Sequence, residues 1–212
     1  MAVPVRLTPD TCRAATRLLA RRDPAMARLI ATHGPCELGT RPRRGSFAAL
    51  VRAIVFQQLS TGAATTIYGR VLSTMGVAEC PPPERWLATP EAHLRAAGLS
   101  TQKARYILDL CVHVRDGSLD TRRLHRLPDE DVIATLTQVK GIGRWTAEMF
   151  LMFHLQRPDI LPLGDLGVVT GFARVYADGV RVGPDVMTAH AESWRPYRSV
   201  GSWYMWRALE AR

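Results

Sequence analysis

Only two lysines, Lys103 and Lys140, stand among the 28 lysines and arginines of this 212-residue chain. Any chemistry that needs a lysine nucleophile must therefore use one of those two. Cysteine is equally sparse. Cys12, Cys36, Cys80 and Cys111 form no CxxC pair, and none follows Cys111. Zinc and iron–sulfur sites need clustered thiolates, so neither is expected; reduced, mostly buried thiols are. The six histidines show no metal-ligand spacing. No metal and no cofactor are called for. No apolar run approaches the ~18 residues of a membrane span. The first residues, Met1-Ala-Val-Pro-Val-Arg, lack the long apolar core of a signal peptide. A cytoplasmic location with no membrane partner is expected, nucleoid-associated if the chain is bacterial. Alternating strand patterns, internal repeats and low-complexity tails are also lacking.

What is present is basic charge and helical periodicity. The net charge is +9, which favours a polyanion such as nucleic acid as partner. Phe47, Leu50, Val51, Ile54 and Val55 recur on one helical face. Ile67, Val71, Leu72 and Met75 do so after a break at Ser60-Thr61-Gly62. Thr89-Pro90-Glu91 reads as an N-cap, a first-turn proline and an acid. Ser100 is expected to cap a helix carrying Ala104, Ile107, Leu108 and Cys111 inward. Asp129 is expected to cap another with Val132, Ile133 and Leu136. Residues 13–30 also look helical. About ten short helices and an all-α fold follow.

The most informative stretch is Leu136-Thr-Gln-Val139-Lys140-Gly141-Ile142-Gly143-Arg144-Trp145-Thr146-Ala147. One helix ends at Val139 and another begins near Arg144. Gly141 and Gly143 bracket a single apolar residue, Ile142, which would plug into the core. Glycines leave backbone N–H groups open to an anion, and a helix N-terminus adds partial positive charge. Gly141, Gly143, Arg144 and Thr146 are thus candidates for a DNA phosphate, read without regard to base sequence. An ordinary glycine turn is the alternative.

The string LxxVxGIGxxTA resembles the hairpin of the helix-hairpin-helix DNA glycosylase superfamily, and GIGRWTA resembles its DNA-3-methyladenine glycosylase II branch. The resemblance runs from about Phe47 to Trp206. It implies two helical lobes flanking an active-site cleft within one catalytic unit spanning 1–212. The hairpin lobe would cover 46–153, and residues 1–45 with 154–212 would form the other.

In Leu161-Pro162-Leu163-Gly164-Asp165-Leu166-Gly167-Val168, Asp165 reads locally as an N-cap. The resemblance gives it the superfamily's essential aspartate. The two roles are compatible, because a helix start favours the negative charge that a developing sugar cation needs. Bifunctional members carry a lysine two residues after the second hairpin glycine. Trp145 stands there instead, which points to monofunctional chemistry with water as nucleophile. Its indole could stack on a cationic base. The resemblance puts Trp206 in the same base pocket; core packing is the alternative for Trp206. Gln57-Gln58-Leu59-Ser60 resembles the intercalating loop, with Leu59 as wedge and Gln58 beside it; Leu59 as the last core residue of its helix is the alternative. Gly98-Leu99-Ser100-Thr-Gln-Lys103 resembles a second DNA-facing loop, with Lys103 on a phosphate. Together these imply a monomeric glycosylase that flips alkylated purines out of damaged double-stranded DNA. A glycosylase for oxidised or mismatched bases, or a noncatalytic damage sensor, remains the competing reading.

Overall fold

The computed structural model describes residues 6–40 and 45–210. The reading of the N-terminus as lacking a signal segment rests on residues 1–5 and lies outside them. The described residues form twelve α-helices and no strand. The helices are α1 (Pro9–Arg22), α2 (Pro24–His33), α3 (Ser46–Phe56), α4 (Thr61–Thr74), α5 (Pro83–Ala88), α6 (Glu91–Ala96), α7 (Thr101–Arg115), α8 (Asp129–Leu136), α9 (Arg144–Phe153), α10 (Leu166–Tyr176), α11 (Pro184–Ala191) and α12 (Arg198–Arg207). Short 3-10 turns lie at Leu38–Thr40, Leu124–Arg126 and Glu192–Trp194. The fold is all-α. None of these helices is long and apolar enough to cross a membrane. The chain divides into two compact units, residues 43–150 and residues 1–42 with 151–212.

In the 43–150 unit the periodic faces supply the core. Leu50, Val51, Ile54 and Val55 of α3 are buried with Val71 and Leu72 of α4. Ala104, Ile107 and Cys111 of α7, and Val132, Ile133 and Leu136 of α8, are buried in the same unit. Burying one such Leu or Ile side chain contributes roughly 1.5–3 kcal/mol, so this apolar set outweighs any single polar contact in the unit. Caps mark the helix starts. Ser60 Oγ accepts from Ala63 N at 3.3 Å, and Ser100 Oγ accepts from Lys103 N at 3.2 Å. Two expected caps shift by one residue. Pro90, not Thr89, precedes α6, and Pro128, not Asp129, precedes α8. In each case the proline's fixed φ suits the extended N-cap position, and the acid that follows opens the helix.

In the other unit, the stretch 13–30 is helical as expected, divided between α1 and α2. Asp23 ends α1 and caps α2, accepting from Ala25 N at 2.9 Å and Met26 N at 3.0 Å, with Pro24 in the first turn. The same carboxylate accepts from Tyr176 Oη at 2.6 Å, Trp194 Nε1 at 3.3 Å and His190 Nε2 at 3.4 Å. Burial alone would raise the Asp23 pKa. The hydrogen bonds from His190, Tyr176, Met26 N–H and Trp194 outweigh it and hold the carboxyl well below the usual carboxylate range. Helices α10 and α12 pack closely because of one glycine. A Cβ on Gly171 would lie 2.0 Å from the Met205 carbonyl oxygen. That approach sets where the side chains of α12 fall along α10.

Candidate functional site

Asp165 follows the turn Leu161–Gly164, where its own N–H donates to the Pro162 carbonyl at 3.0 Å. Its backbone is extended, and Leu166 opens α10. Oδ1 accepts from Val168 N at 2.8 Å, the N-cap bond foreseen from the local sequence. The side chain is buried, with the residue only 8% exposed. A carboxylate taken out of water needs donors, or its burial is costly. Asp165 has a second one: Trp206 Nε1 donates to the same Oδ1 at 2.8 Å.

Two residues that the sequence did not single out build this arrangement. Phe153, at the end of α9, stacks on the Trp206 indole with centroids 5.5 Å apart and planes 22° apart. Gly167 makes room for the indole edge. A Cβ there would stand 2.7 Å from Trp206 Cδ1 and 3.1 Å from Asp165 Oδ1. Gly167 and Gly171 are four apart and lie on one face of α10. The spacing GxxxG was therefore the available signal. Trp206 is half-buried, while its neighbours Trp203 and Tyr204 are core residues.

The hairpin has two different glycines. Gly141 has φ +81°, and a Cβ on it would lie 2.0 Å from the Tyr106 ring, so both backbone and packing demand glycine. Gly143 has no positive φ, and a Cβ there would meet nothing within 4 Å. It is exposed. The fold itself does not require glycine at 143. Ile142 is buried, as a plug should be, and so is Ala147 in the first half of α9. Val139 O accepts from Ile142 N at 3.1 Å, and Gly143 O accepts from Ala147 N at 3.1 Å, starting α9. The first amides of α9, Arg144 to Thr146, then lack intrahelical acceptors. Thr146 is buried, whereas Arg144 and Trp145 before it are exposed.

Two basic side chains are engaged within the protein. Arg144 reaches both oxygens of Glu130, at 2.7 and 3.0 Å, and Glu148 Oε1 at 3.0 Å. The hydrogen-bonded Glu130 carboxylate raises the guanidinium's pKa, and the guanidinium in turn lowers that of Glu130. Lys103 Nζ donates to the carbonyls of Val55 and Gln57, both at 2.7 Å. It is thus held by the protein where a phosphate contact was expected. Ser100 serves as an N-cap. Lys140 is a surface cation 3.4 Å from Asp109.

Leu59 is 39% exposed and Trp145 is 45% exposed. Leu59 therefore does not close the core of α3, which removes that alternative. Gln58, beside it, is exposed and has φ +54°, a strained value for a residue with a Cβ. Trp145 sits in the first turn of α9, the helix whose last residue is Phe153. Among the described residues, no group of three or more histidines, cysteines or acids could hold a metal ion.

Comparison with known proteins is consistent across sequence and structure. A sequence profile described as "HhH-GPD superfamily base excision DNA repair protein" matches residues 51–196. The crystal structure of a DNA-3-methyladenine glycosidase from Bacillus halodurans superposes with a TM-score of 0.81 at 39% identity, over 96% of this chain and 92% of that one. The 3-methyladenine DNA glycosylase Mag1 of Schizosaccharomyces pombe, solved in complex with abasic DNA, gives 0.78 at 31% identity, over 92% and 95%. A putative DNA-3-methyladenine glycosylase of Bacillus subtilis, YfjP, is 32% identical over 77% of this chain; the chain spans 59% of that relative's length. The glycine hairpin, the capped aspartate and these likenesses agree: the chain belongs to the helix-hairpin-helix HhH-GPD superfamily of base excision DNA repair proteins, on its DNA-3-methyladenine glycosylase side.

Proposed function

We propose that this protein is a monofunctional DNA glycosylase that hydrolyses the N-glycosidic bond of alkylated purines flipped out of double-stranded DNA. The observation that carries the reading is Asp165. It is a buried carboxylate held at a helix start by two N–H donors, in a chain whose relatives are named for 3-methyladenine excision.

The chemistry follows from the bond. As the C1′–N bond lengthens, its electron pair leaves with the base and positive charge grows on the deoxyribose. A fixed carboxylate stabilises that charge without reorganising at the moment of reaction. Water then adds to C1′ and loses a proton, leaving an abasic sugar. An alkylated purine is already cationic, so it departs with little acid assistance. An electron-rich indole suits such a base, and Trp206 and the exposed Trp145 are assigned that stacking. No lysine stands at the Trp145 position, so no Schiff base forms and the strand is not nicked.

DNA is the proposed partner, held by phosphate contacts at Gly141, Gly143 and the amides opening α9. Leu59, with Gln58, fills the space of the flipped nucleotide. The abasic DNA bound to the S. pombe relative supports DNA as partner. A monomer acting on damaged duplex among the cell's DNA is the simplest assembly. The test is chromatography of the bases released from methylated duplex DNA. Free 3-methyladenine or 7-methylguanine is expected. Release of no base from any alkylated or deaminated substrate would leave a noncatalytic damage binder as the better description.

A further inference from the structure

Lys103 was the lysine expected on a DNA phosphate, yet it is turned inward. It is half-buried in the first turn of α7, and burial lowers its pKa from the ordinary lysine value. Its ammonium contacts the last carbonyls of α3, Val55 O and Gln57 O, each at 2.7 Å. Those carbonyls have no acceptor role left inside the helix and carry its partial negative charge. A cation there is both a cap and a dipole partner.

The segment it caps is the one that matters. Immediately after Gln57 come Gln58, with its φ of +54°, and the exposed Leu59. A strained residue persists only when its surroundings over-determine it. Gln57 supplies a second restraint: its side-chain Nε2 donates to the Gly141 carbonyl at 2.8 Å, tying this loop to the hairpin. Helix α7 backs the hairpin as well. The Tyr106 ring fills the space a Gly141 side chain would need, and Asp109 Oδ2 accepts from Lys140 N at 2.9 Å. Lys103, Tyr106 and Asp109 are spaced by three along α7. One side of that helix therefore braces both the loop and the hairpin.

We propose that Lys103 is a positioning residue: its ammonium clamps the end of α3 so that Leu59 is presented as a rigid wedge, in register with the hairpin through Gln57 and Gly141. The role of the wedge rests on the glycosylase reading; the clamp itself does not. The clamp explains why a lysine serves here in a chain whose other basic residues are almost all arginine. A compact ammonium on a flexible stem reaches two convergent carbonyls, where a planar guanidinium fits less well.

The test combines three readouts on Lys103→Met and Lys103→Arg. First, amide hydrogen exchange of the free protein reads the clamp without any catalysis. Lys103→Met should speed exchange at Gln58 and Leu59 by at least about tenfold, the scale of a lost charge-assisted hydrogen bond. Lys103→Arg, which keeps the charge, should recover part of that protection; if the methionine variant does not fold, the neutral Lys103→Gln takes its place. Arginine exchanging as the parent does, or between parent and methionine, supports the clamp; protection in neither variant differing from the parent overturns it. Second, the log–log salt slope of duplex binding should match the parent's. A slope shallower by about 0.9 with unchanged loop exchange would make Lys103 a phosphate ligand and overturn the proposal. Third, the ratio of excision from paired against unpaired lesions should fall toward that of Leu59→Ala. A fall in both substrates by one common factor would detach Lys103 from the wedge.

Discussion

Trp206 and Asp165, 41 positions apart, are joined by a 2.8 Å hydrogen bond from the indole Nε1 to Oδ1. The indole is therefore a hydrogen-bonding partner of the carboxylate. It fixes the carboxylate's orientation, and Gly167 leaves the space in which it does so. Trp206→Phe keeps an aromatic ring but removes the donor. Gly167→Ala keeps the donor but drives a methyl group to within 2.7 Å of Cδ1. Both variants should lose excision rate in single-turnover measurements, by about tenfold or more, since a hydrogen bond to a charged group is worth roughly 1.5–3 kcal/mol. Full activity in Trp206→Phe would show that the indole donor does not orient Asp165.

The hairpin glycines should separate cleanly. Gly141→Ala meets both a positive φ and the Tyr106 ring, so thermal melting should drop markedly. Gly143→Leu meets open space and should fold with only a small loss of stability. It should nevertheless weaken binding to every duplex alike, in titrations at fixed salt, because it blocks the approach of a phosphate rather than a base. Sequence-dependent weakening would argue against a phosphate anchor.

Base release should come without strand cleavage. With Trp145 at the position where lyases carry lysine, borohydride added during turnover should trap no covalent protein–DNA adduct. Gel electrophoresis of labelled duplex checks this directly. A trapped adduct would implicate Lys103 or Lys140 and end the monofunctional description.

Asp23 should contribute stability with a defined pH dependence. Its folded pKa lies below the unfolded value, so the contribution is present above the unfolded pKa and is lost as pH falls through the folded one. Asp23→Asn should thus be clearly destabilised at neutral pH in urea titrations. The gap to the parent should narrow as pH falls below about 4, where the unfolded aspartate takes up its proton. A gap that widened on acidification would contradict the hydrogen-bond account of this node.

Features encoded within one turn or one cap were legible in the sequence. The hairpin string, the buried plug Ile142, the caps at Ser100 and Asp165, and the apolar faces of α3 and α8 all depend on neighbours within a few positions. Contacts between distant segments were not legible. Nothing local tells that Lys103 will reach Val55 and Gln57, more than 45 residues away. Nor does it tell that Arg144 will be taken by Glu130, or that Trp206 will donate to Asp165. A long basic side chain near a DNA-facing loop reads as a phosphate ligand until its intramolecular partners are known. Gly141 was read for its backbone freedom, yet Tyr106 demands it just as firmly. Gly167 and Gly171 were in view within the apolar run of α10, but their purpose belongs to the packing of α12.

The most direct measurement of the central claim is excision by Asp165→Asn on duplexes carrying a neutral lesion, hypoxanthine, and a cationic one, 7-methylguanine. Asparagine is nearly isosteric and can still accept from Val168 N–H, so melting temperature and duplex affinity should remain close to the parent's. The rate should fall by at least ~10²–10³, the scale of losing one preorganised electrostatic group. The deficit should be larger for the neutral base, because the cationic one drives its own departure. An asparagine variant that excised the neutral lesion at the parent's rate would reduce Asp165 to a helix cap and contradict the account.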